Sequence, residues 1–256
     1  MATMRGLIKK TSLQAFANIR SSGIIALNIQ DDDALVGLRI TEGSSDLLLG
    51  TRNGWAIRFR EANVRPMGRV ARGVRGIRLR DQNDVVVGMA ALPPDRPATL
   101  LTVCEHGFGK RTASSDYPTK NRGGKGVITI KTTERNGKVI GLRQVTDEDD
   151  LMLITSAGKL IRMPVAGIPT IGRNTQGVRL IRLEESETVV AMERLAEMEE
   201  GEREVSPEVA SARAEEQTLA EEDLGEEAAG DDDDDDVDSE DAGEDSDDGD
   251  TEPKLN

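Results

Sequence analysis

The chain has 256 residues, a formal net charge of −15 and a single cysteine, Cys104. That length allows one or two domains, and one cysteine excludes a disulfide framework and favours a reducing compartment. No window approaches the roughly 18 apolar residues of a membrane-spanning helix, and the N-terminus lacks the apolar stretch of a secretory signal, so an intracellular chain with no membrane partner is expected. The net charge conceals two unlike parts. Residues 1–192 carry 29 Lys and Arg against 19 Asp and Glu, whereas residues 193–256 carry 4 against 29. A basic body points to a polyanionic partner that the acidic part would repel.

In chain order the body reads as a repeat. An apolar run ending in a polar turn with glycine occurs at Met1–Gly6, Leu47–Gly54, Leu100–Gly107 and Leu151–Gly158, with a basic residue four positions after each glycine: Lys10, Arg58, Arg111 and Arg162. A second motif follows at Gly23-Ile-Ile-Ala-Leu27, Gly73-Val-Arg-Gly-Ile-Arg-Leu79, Gly126-Val-Ile-Thr-Ile130 and Gly177-Val-Arg-Leu-Ile-Arg-Leu183. A short apolar motif closes each unit: Leu35-Val-Gly37, Val85-Val-Val-Gly88, Val139-Ile-Gly141 and Val189-Val-Ala191. The runs are short, apolar or β-branched, and bounded by Gly, Asn and Asp, which makes them strands rather than helices. Asn53-Gly54 and Asn136-Gly137 read as hairpin turns in which both residues tolerate positive φ.

A unit of about 50 residues with roughly four strands matches one blade of a propeller-type array. The expected fold is all-β: a propeller-like pinwheel of four-stranded blades, three and a half to four in number. The repeats fall at about 1–45, 46–98, 99–149 and 150–195. Met1 lies inside what should be a strand, so the first unit is expected to lack its opening half and to leave an exposed sheet edge. After about Leu195 the periodicity stops. Residues 196–256, with six consecutive aspartates at Asp231–Asp236, have the composition of a disordered acidic tail. A short helix around 190–204 is a further option.

The cations recur at equivalent positions. Arg69, Arg122 and Arg173 each precede the glycine of the second motif by four, and Lys10, Arg58, Arg111 and Arg162 form a parallel set. Stacked radially, each set would ring the rim and suit a bent phosphate backbone held by charge without base reading. Arg72 and Lys110 lie beside these sets. The sharpest local motif is Lys120-Asn-Arg-Gly-Gly-Lys-Gly126, in which Gly123 and Gly124 would let backbone amides approach an anion while Lys120, Arg122 and Lys125 supply charge. The competing reading is an exposed loop with incidental basic residues. No nucleotide-binding Gly-x-x-x-x-Gly-Lys-Ser/Thr is present, so no ATP site is expected here.

This loop resembles the Gln-Arg-Arg-Gly-Gly-Lys/Arg-Gly box of DNA gyrase A subunits, matching five of seven positions at residues 122–126. Gly107-Phe-Gly-Lys-Arg-Thr112, Tyr117-Pro-Thr-Lys120, Glu134-Arg-Asn-Gly137 and Gly172-Arg-Asn-Thr-Gln-Gly-Val178 also resemble the C-terminal domain of that family. The resemblance implies a six-bladed β-pinwheel that wraps double-stranded DNA around its rim. It also implies partnership with the gyrase B subunit and the rest of the A subunit in an A2B2 assembly in the cytoplasm, at the nucleoid. ATP and Mg²⁺ would belong to that holoenzyme; this chain is expected to bind neither. The principal box of the family lies in a first blade that this chain lacks, as it lacks the cleavage domain with its DNA-attacking tyrosine. Strand passage by this chain alone is therefore not expected.

Three residue groups tempt other assignments. Tyr117 aligns with Phe16, Val64 and Ile168, so it reads as a packing position rather than a nucleophile. Cys104 aligns with threonines on a strand and His106 with turn residues, which leaves no ligand set for zinc. Asp231–Asp236 lacks the glycine-punctuated spacing of a calcium loop. The tail could also occupy the DNA rim as a polyanion mimic, or simply solubilise the chain. The related domain of topoisomerase IV and a protein-binding propeller scaffold stand as alternatives, though five aromatics in all give little for a protein hot spot.

Overall fold

The computed structural model describes residues 1–94 and 97–195. The acidic segment 196–256, and the part of the candidate helix beyond residue 195, lie outside the described residues. Four antiparallel sheets form from strands β1 (Ala2–Thr3), β2 (Leu7–Ile8) and β3 (Leu35–Gly37) of the first repeat and β4 (Asp46–Thr51), β5 (Trp55–Arg60), β6 (Val74–Arg75) and β7 (Val86–Leu92) of the second. The third contributes β8 (Thr99–Cys104), β9 (Phe108–Ala113), β10 (Val127–Ile128) and β11 (Val139–Val145). The fourth contributes β12 (Asp150–Thr155), β13 (Leu160–Pro164), β14 (Val178–Arg179) and β15 (Val189–Leu195). The chain is all-β in the propeller-like arrangement expected, its helical content confined to 3-10 turns such as Leu13–Phe16 and Ser114–Asp116. Val189–Leu195 is a strand, so no helix begins at 190.

Each repeat is not one blade. The sheet orders are β3-β1-β2-β6, β10-β5-β4-β7, β11-β8-β9-β14 and β13-β12-β15. The outer strand of every complete sheet is thus the second motif of the following repeat. The second, third and fourth repeats each supply the expected four strands and the first supplies three, but the strands of one repeat do not all join one sheet. The first sheet has four strands although β1 is two residues long where β4, β8 and β12 have six. The sheet that lacks a strand is the last. Among the described residues its β13 has β12 on one side and no strand on the other.

The recurrent apolar motifs explain the packing. The middle strands bury continuous runs, Leu47-Leu-Leu49 and Leu100-Leu-Thr-Val-Cys104, because both of their faces are covered by neighbouring blades. A register shift recurs at one place in each sheet, between Ala2 and Thr3, Gly50 and Thr51, Val139 and Gly141, and Ile154 and Thr155, and such bulges raise local twist. The innermost strands stack on one another where the closing motif is small. A side chain at Gly37 would meet Met89 at 3.3 Å, and one at Gly141 would meet the Met192 sulfur at 2.7 Å. In the turns only the glycines take positive φ, Gly54 at 80° and Gly137 at 73°, while Asn53 and Asn136 do not. Asn136 is instead fully buried, its amide donating to Lys131 O and Gln176 O.

Candidate nucleic-acid interface

The cations four residues after the turn glycines lie at the seams between repeats. The backbones of three of them pair with the segment arriving from the next repeat, Lys10 with Pro66, Arg58 with Thr119 and Arg111 with Thr170. Their side chains cap the 3-10 turn of that same repeat. Arg58 donates to Ser114 O at 2.8 Å and to Asp46 at 2.8 Å, and Arg111 donates to Ile168 O at 2.6 Å and pairs with Asp147. Lys10 pairs with Glu61 at 3.5 Å, and Arg162 with Asp150 at 2.7 Å. Burial follows from this use: the side chains of Arg58 and Arg111 are 20% and 10% exposed, that of Arg162 43%. Of this set Arg162 presents the most surface, and it does so with a carboxylate beside it.

The second set is also a stitch. Arg69 donates to Ile25 O, Arg122 to Arg75 O and Arg173 to Ile128 O, at 3.1, 3.1 and 3.0 Å. The acceptor is in every case two residues after the second-motif glycine of the preceding repeat. One contact, repeated three times, ties each incoming loop to the strand delivered before it.

Lys110 is fully buried. Its ammonium donates to Gly172 O, as that of its counterpart Lys9 does to Arg69 O and Ala26 O. Burial, with Arg173 nearby, lowers its pKa from about 10.5 to about 8. Lys110, expected among the DNA contacts, is thereby removed from any surface a duplex could touch. It holds the loop at 172 from beneath.

The loop Lys120–Gly126 lies along β6 and its continuation. Gly123 N–H donates to Gly76 O at 2.6 Å, and Arg78 N–H donates to Gly124 O at 2.8 Å. Gly123 and Gly126 take φ of 80° and 72°, which lets the loop run close to its neighbour. The Gly123 amide is therefore spent on the protein. Two bonds bring Arg75 and Arg78 of the second repeat beside Lys120, Arg122 and Lys125 of the third. Arg72, Arg75, Arg78, Lys120 and Lys125 are all exposed, and among the described residues none of the five has a carboxylate within ion-pair distance or a hydrogen-bond acceptor. Among the described residues no carboxylate pairs with these cations.

Arg75 and Arg78 were visible in the alternation of the second motif but not singled out. Their positions recur, the second as Arg78, Lys131 and Arg182, and Lys131 N–H bonds Thr175 O at 2.8 Å as Arg78 does Gly124 O. The signal that finds them is the repeat alignment itself. Aromatic rings lie under further arginines: Arg80 sits 3.2 Å over Trp55, and Arg135 and Arg179 stand 5.0 and 5.6 Å from the Phe108 ring.

Tyr117 is buried as expected of a packing position, its hydroxyl 2.6 Å from the Thr129 hydroxyl. Cys104 is buried on β8, and burial pushes its thiol pKa up to about 12. The His106 ring nitrogen Nδ1 lies 3.0 Å from Glu134 O in a turn.

Repeated blades with exchanged outer strands define a pinwheel-type domain. The sequence matches the family described as "DNA gyrase C-terminal domain, beta-propeller" over residues 1–42, 45–93, 98–146 and 149–196, and the chain belongs to that family. The DNA gyrase A subunit of Salmonella typhimurium is 46% identical over 224 residues, covering 82% of this chain and 25% of that protein. The chain thus spans about a quarter of that relative's length. Among solved structures, the C-terminal domain of DNA topoisomerase IV aligns with a TM-score of 0.72 at 24% identity, over 84% of this chain and 65% of its own. The DNA gyrase A C-terminal domain aligns with a TM-score of 0.66 at 23% identity, over 76% and 64%. At those identities the two structures speak for the fold.

Proposed function

We propose that this domain binds double-stranded DNA without reading its sequence and bends it along the seam surface, as the wrapping module of a gyrase A subunit. The observation that carries the reading is the group Arg75, Arg78, Lys120 and Lys125, without ion-pair partners among the described residues and brought together by the hydrogen bonds of loop 120–126 to residues 75–78. Cations without carboxylate partners release counterions from phosphates at no cost in broken ion pairs, so each contributes fully to backbone binding. Only 3-10 turns occur among the described residues, so no α-helix is offered to the major groove. In this reading the domain supplies DNA geometry to an ATP-dependent type IIA topoisomerase of cytoplasm and nucleoid, with the B subunit and the rest of the A subunit providing ATP hydrolysis and strand passage. Family membership favours the gyrase over the topoisomerase IV version of this role.

The test is the salt dependence of binding of the full chain to a duplex of about 40 base pairs. Several phosphate contacts require log K to fall with log salt at a slope of about −0.9 per contact. Replacing Arg75, Arg78, Lys120 and Lys125 by serine should flatten that slope by about 3.6 units if all four touch phosphates. A folded protein with no affinity at low salt would sink the proposal.

A further inference from the structure

Among the described residues three carboxylates are buried: Glu61, Asp84 and Asp149. Two of them are paired, Glu61 with Lys10 and Asp149 with Arg194, both at 3.5 Å. Asp84 is wholly excluded from solvent and has no cationic side chain against it. Its Oδ1 accepts the backbone N–H groups of Asn53 and Val85, each at 3.0 Å, whereas its Oδ2 is buried without any donor. A charged oxygen taken out of water and given no partner is costly, and such an atom marks a place where an ion or a solvent molecule binds.

The other repeats show how the same position is normally satisfied. Four residues before the small residue of each closing motif stand Asp33, Asp84, Gly137 and Glu187. Asp33 caps its turn as Asp84 does, accepting from Arg5 N–H at 2.8 Å and Ala34 N–H at 2.9 Å, but it is only half-buried. In the third repeat no carboxylate is used, and the turn N–H of His106 bonds Asn136 O at 3.1 Å. In the fourth, Glu187 is neutralised by Lys159 at 3.3 Å. Lys159 directly follows its turn glycine; in the second repeat that place is Trp55, which brings no charge. Arg5 reaches the loop before Asp84, but its guanidinium goes to Gln82 O at 3.4 Å and to Asp32 at 3.1 Å.

A second carboxylate stands at the same turn. The Asn53 side-chain amide donates to Asp81 Oδ2 at 2.7 Å, so one residue gathers Asp84 on its backbone N–H and Asp81 on its side chain. Asp81 is exposed and gives access from solvent. No three His, Cys, Asp or Glu side chains gather among the described residues, so carbonyl and solvent oxygens complete any shell built here. Two carboxylates with oxygen donors alone suit a hard divalent cation that keeps part of its water. We propose that Asp84 Oδ2 and the Asp81 carboxylate bind one such cation, magnesium or calcium, at the turn Thr51–Gly54. The ion fastens loop 81–84 to the turn it caps, directly after the segment that carries Arg75, Arg78 and Arg80. This site stands whether or not the domain binds DNA.

The test uses the full chain and terbium(III), which takes the same oxygen donors and emits when an excited tryptophan lies within a few ångströms. The chain has one tryptophan, Trp55, two residues from Asn53. Ions held by the aspartate run Asp231–Asp236 are therefore silent unless they lie against that ring. Exciting Trp55 should give terbium emission, displaced by magnesium or calcium at about 0.1–1 mM, as for weak solvent-open sites. Separate titrations show which of the two is preferred. Asp84→Asn keeps the oxygen that caps the turn and should abolish the emission; Asp81→Asn should weaken it, and carries the comparison should Asp84→Asn fail to fold. The preferred ion should also raise the thermal midpoint of the unaltered chain above that in sodium chloride of equal ionic strength, and not that of Asp84→Asn. A folded chain without sensitised emission overturns the proposal, as does emission that survives in both variants. Equal midpoints in the divalent and sodium salts do so too, since Oδ2 would then hold only a water molecule.

Discussion

The guanidinium of Arg122 crosses a repeat boundary to donate to the carbonyl of Arg75 at 3.1 Å, while its Nε donates to Asn63 O at 2.9 Å. One side chain thus fastens loop 120–126 to the strand whose own arginines face outward. Arg122 is committed to the fold, whereas Arg78 makes no side-chain hydrogen bond among the described residues. The division can be tested with single substitutions. Arg122→Ala leaves two carbonyls without a charged donor, and should cost about 1–3 kcal/mol in chemical denaturation. Arg122→Lys keeps the charge but loses the fork that reaches both carbonyls, so stability should fall while low-salt DNA affinity changes less. Arg78→Ser, which removes no side-chain hydrogen bond, should leave the denaturation midpoint unchanged and weaken DNA binding uniformly across sequences.

Lys110 should titrate with a midpoint near pH 8, far below an exposed lysine, in NMR of the side-chain nitrogen. Its folded pKa is depressed, so between about 8 and 10.5 the unfolded chain binds the proton more tightly. In that window the Lys110 contribution to stability rises with pH, and below it the buried ammonium is a standing cost. Lys110→Met should therefore shrink this rise. A midpoint near 10.5 would mean the ammonium is solvated.

Gly177 and Gly23 occupy the same place in their repeats, with φ of 81° and 79°. A side chain at Gly177 would meet Gly109 O at 2.7 Å, whereas at Gly23 it meets nothing within 4 Å. Gly23→Ala should cost only the backbone penalty of about 1–2 kcal/mol. Gly177→Ala adds a clash with backbone that cannot move aside, and it should destabilise the domain clearly more. Denaturant midpoints of the two variants decide the matter.

Cys104 should be inert toward aromatic disulfide reagents in the native protein and react at once on unfolding. Burial keeps the thiol protonated, with the pKa pushed up to about 12, and the thiolate is the reactive form. Because the folded pKa is raised, this group's contribution to stability is lost as pH climbs beyond 9, opposite in sign to that of Lys110. Rapid labelling under native conditions at pH 8 would show that β8 opens readily.

The repeat, the strands and the Gly-rich loop were legible in the sequence, because turn glycines and apolar runs act locally and recur at a nearly constant spacing. Which sheet a strand joins was not. Nothing in Gly73-Val-Arg-Gly-Ile distinguishes pairing with β5 of its own repeat from pairing with β2 of the one before, since both edges offer the same backbone. The arginine sets were found, but residue type does not reveal a partner. Arg58, facing Asp46 and the Ser114 carbonyl, looks in sequence no different from Arg78, which faces none. Lys110 misled for the same reason: one position before Arg111 on a strand points the side chain to the opposite face.

The exchange of outer strands also sets what duplication can do to this domain. Each repeat carries one strand to lend and one hairpin to receive, and the lending and receiving registers are the same at all three joints. Copying or excising one whole repeat of about 50 residues therefore leaves every remaining joint with a matched pair, and changes only the number of blades. Excising half a repeat orphans a strand or a hairpin. Length variation in such a domain is quantised by its own topology, in whole blades.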